Sequence, residues 1–264
     1  MPAKRKVLIT GGAGLIAGVL IDRLHDRYDL SSLDLKKAEG ARSIIGDLSD
    51  MKSVLSAFKG QHTVVHLAAD RRADGPWDSN LPNNFVGTYN VFEAAKQCGV
   101  KRVVFASSQH ATGGFYLDEP YKAITEGRFK DVPRSYSLVD ETCPVRPDGY
   151  YGAAKAFGEA IGSYYWDYHK LSSLHLRIGW VISADDPSFS AWGLTLWLSH
   201  ADVAQMVRLC IDAPASLGYD VFYAMSDNKW KIFSIEKAKR VLGYRPQDGA
   251  ADDLRPRPVP KRDR

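Results

Sequence analysis

Short, uniformly apolar runs recur along the first half of the chain, each followed by a stretch whose apolar positions have helical spacing. KVLIT precedes LIAGVLIDRLHDR, SIIGDL precedes DMKSVLSAFKG, HTVVHLA precedes NNFVGTYNVFEAAKQCG, and KRVVFASS comes next. Runs without polar alternation are the pattern of strands buried on both faces. The sequence therefore predicts βαβ units: an α/β fold with a Rossmann-like, doubly wound parallel sheet covered by helices. After Ser108 the rhythm breaks into residues 109–147, rich in Pro, Gly, Tyr and charge. A helical stretch, YYGAAKAFGEAIGSYYWDYHK, follows, then the strand SSLHLRIGWVI, a helix over LWLSHADVAQMVRLCIDA, the strand DVFYAMS and a small helix in SIEKAKRVLGY. Segments beyond the carboxyl ends of such strands build the ligand crevice. One domain over 1–254 is expected, with substrate-binding elements at about 109–147 and in a small C-terminal lobe at about 180–245.

Composition narrows the partners. The chain has 264 residues, 45% hydrophobic and 25% charged, the balance of a globular protein, and no run approaches the length of a membrane span. No signal-peptide core follows the basic start, so the cytoplasm is the expected compartment. Cys98, Cys143 and Cys210 are far apart and unpaired by spacing, which fits a reducing environment and no structural zinc. The net charge of +4 is accounted for by the last ten residues, RPRPVPKRDR, with five basic groups and one acidic one. The rest is electrically balanced, so no nucleic-acid partner is expected, and the tail (255–264) reads as disordered.

Candidate chemistry begins at VLITGGAGLIAG, a glycine-rich turn between a buried strand and a helix. Gly11, Gly12 and Gly14 allow close backbone approach, so that a pyrophosphate rests on the helix N-terminus, and Ala17 fills the third small position. Asp34, 22 residues after Gly12, ends the second strand, where a carboxylate accepts bonds from both adenosine ribose hydroxyls. At ~4 Å it would repel a 2′-phosphate by about 1 kcal/mol in water and about 4 near a surface, so the expected cofactor is NAD. Lys36 and Lys37 lie close enough to offset part of that repulsion.

DGYYGAAKAFGE places two tyrosines before a lysine. Residues four apart share a helix face, so Tyr151 and Lys155 face one way and Tyr150 is rotated away. An ammonium ~4 Å from the phenol contributes about 4 kcal/mol at an effective dielectric of ~20, enough to bring Tyr151 toward working pH as a general base. Ser108, at the end of RVVFASS, is the natural hydrogen-bonding partner for the substrate oxygen. His66 reads as structural. His110 has no second ligand at metal spacing, and no metal is expected.

Taken together, TGGAG, Asp34, GDLSD, HLAA, NNFVGTYNVFEAA, FASS and YGAAK resemble, in order, the extended short-chain dehydrogenase/reductases, the NAD-dependent epimerase/dehydratase family. The resemblance spans about residues 5–245. It implies that Asp47 and Leu48 flank the adenine, that Leu15, Ile16, Leu67, Ala68, Ala69 and Ile178 line the cofactor, and that Asn84 helps hold the lysine region. It assigns Ser108, Tyr151 and Lys155 as substrate clamp, general base and ribose-binding electrostatic helper. It also implies a homodimer or higher homo-oligomer formed through the tyrosine-bearing helix, with which Ala156, Ile161 and Tyr164 are compatible.

Gln109 and His110 stand where dehydratases of that family carry an Asp-Glu pair, so elimination of water is disfavoured. FASSQHATG, LRIG and WLSHADV are most similar to uronate dehydrogenases and archaeal-type NAD-dependent glucose-6-phosphate dehydrogenases, which implies oxidation of an anionic aldose at C1 to its lactone. The alternatives are a sugar-phosphate dehydrogenase and a sugar or nucleotide-sugar epimerase. On that resemblance Gln109, His110 and Arg71 contact the sugar, and the planar fork of Arg177 takes its carboxylate. The readings left beside these are an ion pair for Arg177 and solvated loop positions for Arg71 and Arg72. Trp77 and Trp192 are candidates for a sugar-site wall, and Trp197 for core packing at a helical position.

Overall fold

A computed structural model describes residues 3–256 and 258–259. The expected disordered tail falls mainly on positions outside these. In chain order the elements are β1 (Lys6–Thr10), α1 (Leu15–Leu24), β2 (Asp29–Asp34), β3 (Arg42–Ile45), α2 (Met51–Phe58), β4 (Thr63–His66) and α3 (Trp77–Asn80). Then come α4 (Gly87–Gln97), β5 (Arg102–Ser108), α5 (Tyr121–Thr125), α6 (Tyr150–His169), β6 (Ser172–Ile178), α7 (Ala191–Leu196), α8 (His200–Asp212), β7 (Tyr219–Ala224) and α9 (Glu236–Leu242). The strands form one seven-stranded sheet ordered β3-β2-β1-β4-β5-β6-β7, every pair parallel. This is the expected doubly wound fold.

The uniformly apolar runs explain the layering. β1, β4 and β5 bury side chains on both faces, so each face needs its own helical cover. On one face Leu20, Ile21 and Leu24 of α1 and Val203, Met206 and Val207 of α8 belong to one buried cluster. On the other, Val54 and Phe58 of α2, Val91 and Phe92 of α4 and Tyr165 of α6 form a second. Strand order reverses beside β1, where β2 lies on one side and β4 on the other, and the carboxyl ends there open the crevice of such sheets.

Two expected helices differ in their limits. The helix expected from Leu196 begins at His200, because Ser199 caps it by accepting from the Asp202 amide at 3.1 Å, a Ser-x-x-Asp start signal. Trp197 leaves the helix for a parallel bridge to Trp180. It is still buried, its indole N–H donating to Asp185 at 3.1 Å. The helix expected over 83–99 is regular only from Gly87, and a π-helical turn, Leu81–Val86, precedes it. Within 109–147 the chain is not featureless: a 3-10 stretch, Gln109–Leu117, continues directly from β5. Among the described residues no helix is long and apolar enough to cross a membrane.

Candidate active site

The crevice beside β1 is built by close backbone approach. Gly11 has φ +74°, and a Cβ on it would lie 2.8 Å from the backbone of Ala68, at the exit of β4. The glycine turn and the Leu67–Ala69 segment therefore wall the same space. Helix α1 starts with no side-chain cap and no acidic residue in its first turn, which leaves its amide dipoles for an anion. Asp34 accepts from the Ala13 amide through one oxygen at 3.1 Å and from the Lys36 amide through the other at 3.0 Å. Each oxygen keeps a further lone pair for a ribose hydroxyl. Leu15 is exposed and Ile16 half-buried on the first turn, and Ile178 is the β6 partner of Ser108. Asp47 is exposed and turns back on Ser49 at 2.8 Å, while Leu48 packs toward Gly87. These residues fit a dinucleotide with its pyrophosphate on α1 and its ribose on Asp34.

Asn84 differs from its expected role. Its amide accepts from the Asp70 N–H at 2.7 Å and donates to the Asp70 carbonyl at 2.9 Å and to Asn80 at 2.7 Å. It clamps the loop after β4 rather than the lysine. Asp70 in turn pairs with Arg72 at 2.6 Å and accepts from Ser79, and the Arg72 hydrogen bonds hold its carboxyl well below the usual carboxylate range. His66, bonded to Thr10 at 2.7 Å and Thr88 at 3.3 Å, is kept neutral by burial, with its pKa lowered to about 3. It is structural, as expected.

The carboxyl end of β5 and the first turns of α6 bring Ser108, Tyr151 and Lys155 together, with the Ser108 hydroxyl near enough to that of Tyr151 to favour its ionised form. Tyr150 is 54% exposed and packs edge-on to Trp77, 5.5 Å between centroids. The electrostatics differ from the expectation. Burial pushes Tyr151 up to about 12, opposed by the Ser108 hydrogen bond and the field of Arg71. Burial likewise pulls Lys155 down to about 7. The ammonium lies 5.4 Å from the centroid of the Tyr151 ring and 5.0 Å from that of Phe105, over the ring faces rather than against the phenol oxygen. Desolvation disfavours the charged form of each group, and the direct ammonium–phenolate contact inferred from spacing is not formed.

Arg177 is the main correction. It is 3% exposed, and its fork binds Glu159 through two bonds of 2.9 and 2.8 Å, with a third to the Tyr223 hydroxyl at 3.1 Å. Burial opposes its charge, but the Glu159 hydrogen bonds and field outweigh this and raise its pKa. The bidentate geometry expected for a sugar carboxylate is taken by a protein carboxylate. Glu159, the residue that sequence reasoning missed, sits one stripe position after Tyr151 and Lys155 at i+4 spacing and also accepts from Ser107 at 2.6 Å.

Gln109 is buried and accepts from the Tyr116 hydroxyl. Trp192 packs edge-on against that Tyr116 at 4.8 Å. His110 donates its amide N–H to the Ser108 hydroxyl oxygen at 3.2 Å, holds Asp148 through Nδ1 at 2.7 Å, and stands edge-on to Tyr151, 5.6 Å between centroids. Asp148 is the second residue missed, although it lies within the stretch that drew attention to the tyrosines. Arg71 is exposed on the loop after β4, near enough for its charge to reach Tyr151.

Comparison with known proteins agrees with the fold and places the chain in a family. An NAD-dependent glucose-6-phosphate dehydrogenase of Haloferax volcanii is 36% identical over 93% of this chain and 94% of its own. An L-arabinose 1-dehydrogenase (NAD(P)+) of the same organism is 35% identical over 93% and 98%. The crystal structure of a mutant uronate dehydrogenase from Agrobacterium tumefaciens complexed with NAD superposes with a TM-score of 0.80 at 27% identity, covering 98% of this chain and 93% of that one. The sequence pattern of the NAD dependent epimerase/dehydratase family matches residues 7–213. With the glycine turn, Asp34 and the Ser108–Tyr151–Lys155 cluster at the matching end of the sheet, this chain belongs to the NAD dependent epimerase/dehydratase family.

Proposed function

We propose that the protein oxidises the C1 hydroxyl of an aldose, an anionic one by preference, to the lactone. The observation that carries this reading is the meeting of Ser108, Tyr151 and Lys155 at the edge of the dinucleotide crevice, with Gln109 and His110 where a dehydration would need acids. When bound, NAD supplies the hydride acceptor and a positive charge near the reacting carbon. Ser108 holds the C1 oxygen through its hydroxyl, and Tyr151, in its phenolate form, takes the proton of the C1 hydroxyl. Lys155 keeps a cationic field on the Tyr151 ring, and burial of Ser108 and Lys155 limits competing water.

With the Arg177 fork held by Glu159, the sugar's anion meets Arg71, the cation whose field reaches Tyr151. Relatives named for a sugar phosphate, a neutral pentose and a uronate support C1 oxidation more firmly than any one anion. The exposed aromatic edge of α6, Tyr164 and Tyr168, supports pairing of two copies across this helix. Uronates, aldose phosphates and free aldoses offered with NAD or NADP, followed by NADH or NADPH absorbance, test the reading. NADH formation with uronates or phosphates fits it. No reduction with any aldose, or turnover of nucleotide sugars without net NADH, would overturn it.

A further inference from the structure

The His110–Asp148 pair is more than a surface contact. Asp148 does not cap α6, since Gly149 holds that position without a side-chain bond. Its carboxylate is seated instead in a niche made by two glycines from separate segments. A Cβ on Gly113 would come within 2.1 Å of Oδ2, and one on Gly152 within 3.1 Å of Oδ1. From there Oδ2 meets His110 Nδ1 at 2.7 Å. An ionised carboxylate only accepts, so the ring nitrogen facing it carries the proton. In the neutral ring this leaves Nε2 as an acceptor, on an imidazole edge-on to Tyr151 and tied through its amide to Ser108.

We propose that Asp148 is a positioning residue: it fixes the His110 tautomer so that Nε2 accepts a hydrogen bond from the sugar hydroxyl beside the reacting carbon. The inference rests on the C1-oxidation reading and deepens it, since it selects aldoses with a free hydroxyl at C2. Tyr151 is faced by Ser108 from β5, by Arg71 and Asp70 from the loop after β4, by Lys155 from its own helix, and by His110 and Asp148. Of these, the negative charge of Asp148 opposes loss of the Tyr151 proton. The carboxylate thus aids recognition and restrains the base.

Asp148→Asn is nearly isosteric but presents an amide that donates to Nδ1, which inverts the tautomer. The expected result is a KM for the sugar raised by about 10-fold with the KM for NAD unchanged. The alkaline rise of kcat/KM should also move to lower pH, which a merely structural loss would not do. The wild type should discriminate against a 2-deoxy aldose by about 10-fold, and Asp148→Asn and His110→Ala should erase most of that preference. In the His110→Ala background, Asp148→Asn should add less than about 2-fold.

Additive effects of the two substitutions, or 2-deoxy discrimination that survives both, would overturn the proposal. Nitrogen-15 NMR of the His110 imidazole reads the tautomer without turnover. A proton on Nδ1 in the wild type that shifts to Nε2 in Asp148→Asn supports the assignment, and a wild-type proton on Nε2 overturns it. A wild type that oxidises no sugar would refute the C1-oxidation reading, while the spectrum would still decide the pairing.

Discussion

Two successive turns on the buried face of α6 carry ionisable groups under opposite conditions. Glu159 is buried and fully matched: Arg177 binds it twice and Ser107 once. Lys155, one turn earlier and 4% exposed, has no carboxylate within ion-pair distance among the described residues, only the faces of Phe105 and Tyr151. A buried pair that satisfies itself behaves as scaffold, and removing one member leaves an uncompensated charge. A buried charge without a partner is destabilising, and its retention in a crevice marks a functional position. The same helix face therefore carries a matched ion pair at one turn and, on the proposed reading, the reactive groups at the next.

The sharpest way to break that comparison is to act on the reactive turn. Tyr151→Phe should lower kcat by about 10²- to 10⁴-fold with the fold retained, whereas Tyr150→Phe, outside the cluster, should change it by less than about 3-fold. Steady-state rates with NAD and an oxidised aldose check this, and equal losses would remove the distinction between the two tyrosines. At the structural turn, Glu159→Gln should cost about 3–5 kcal/mol of stability by stranding Arg177, and Glu159→Leu combined with Arg177→Met should recover much of it. Denaturant unfolding of both variants reads the difference. A cost below about 1 kcal/mol for Glu159→Gln would mean that the pair is not the scaffold described.

The unpartnered lysine predicts a gain. Lys155 has a folded pKa lowered to about 7 from an ordinary 10.5, so between these values the unfolded chain holds more protons. Its penalty is thus fully present below about pH 7 and is lost as pH rises toward 10.5. Lys155→Met should abolish most activity yet stabilise the protein by about 2–4 kcal/mol at neutral pH, the advantage shrinking steadily as pH rises. Unfolding of the two proteins at several pH values follows it, and a pH-independent difference would contradict the burial argument.

How much was legible in advance follows the range of the interactions involved. Uniformly apolar runs and the glycine turn are local signals, and they led to the parallel sheet and to Asp34 at the crevice. The i, i+4 rule separated Tyr151 from Tyr150 for the same reason. Spacing alone does not show what lies across from a side chain. Arg177 and Glu159 are 18 residues apart on different elements, and their pairing exists only once α6 packs on β6. The capping signal of Ser199 was readable, but the apolar run around Leu196 and Trp197 masked it. Asp148, like Glu159, is not legible from spacing, since its partner His110 lies 38 residues away on another segment. Lys155 and Tyr151 were paired correctly along the helix, yet the height of the ammonium over the ring depends on Phe105 in the sheet.

The smallest effect asks whether the structural turn reaches the reactive one at all. The Tyr223 hydroxyl bridges Arg177 at 3.1 Å to Thr112 at 2.8 Å, and Thr112 donates to the Gln109 carbonyl at 3.1 Å, so a buried chain of bonds runs from the ion pair to the start of the substrate segment. Tyr223→Phe removes that bridge while keeping the ring stacked on Phe233 at 4.7 Å. Arg177 retains both bonds to Glu159, so the cost in stability should be about 1 kcal/mol. If the two turns act independently, kcat and the KM for the sugar stay within about 2-fold of wild type. A KM rise beyond that, with kcat and stability little changed, would make the Glu159–Arg177 pair a support for Gln109 and join the two regions into one site.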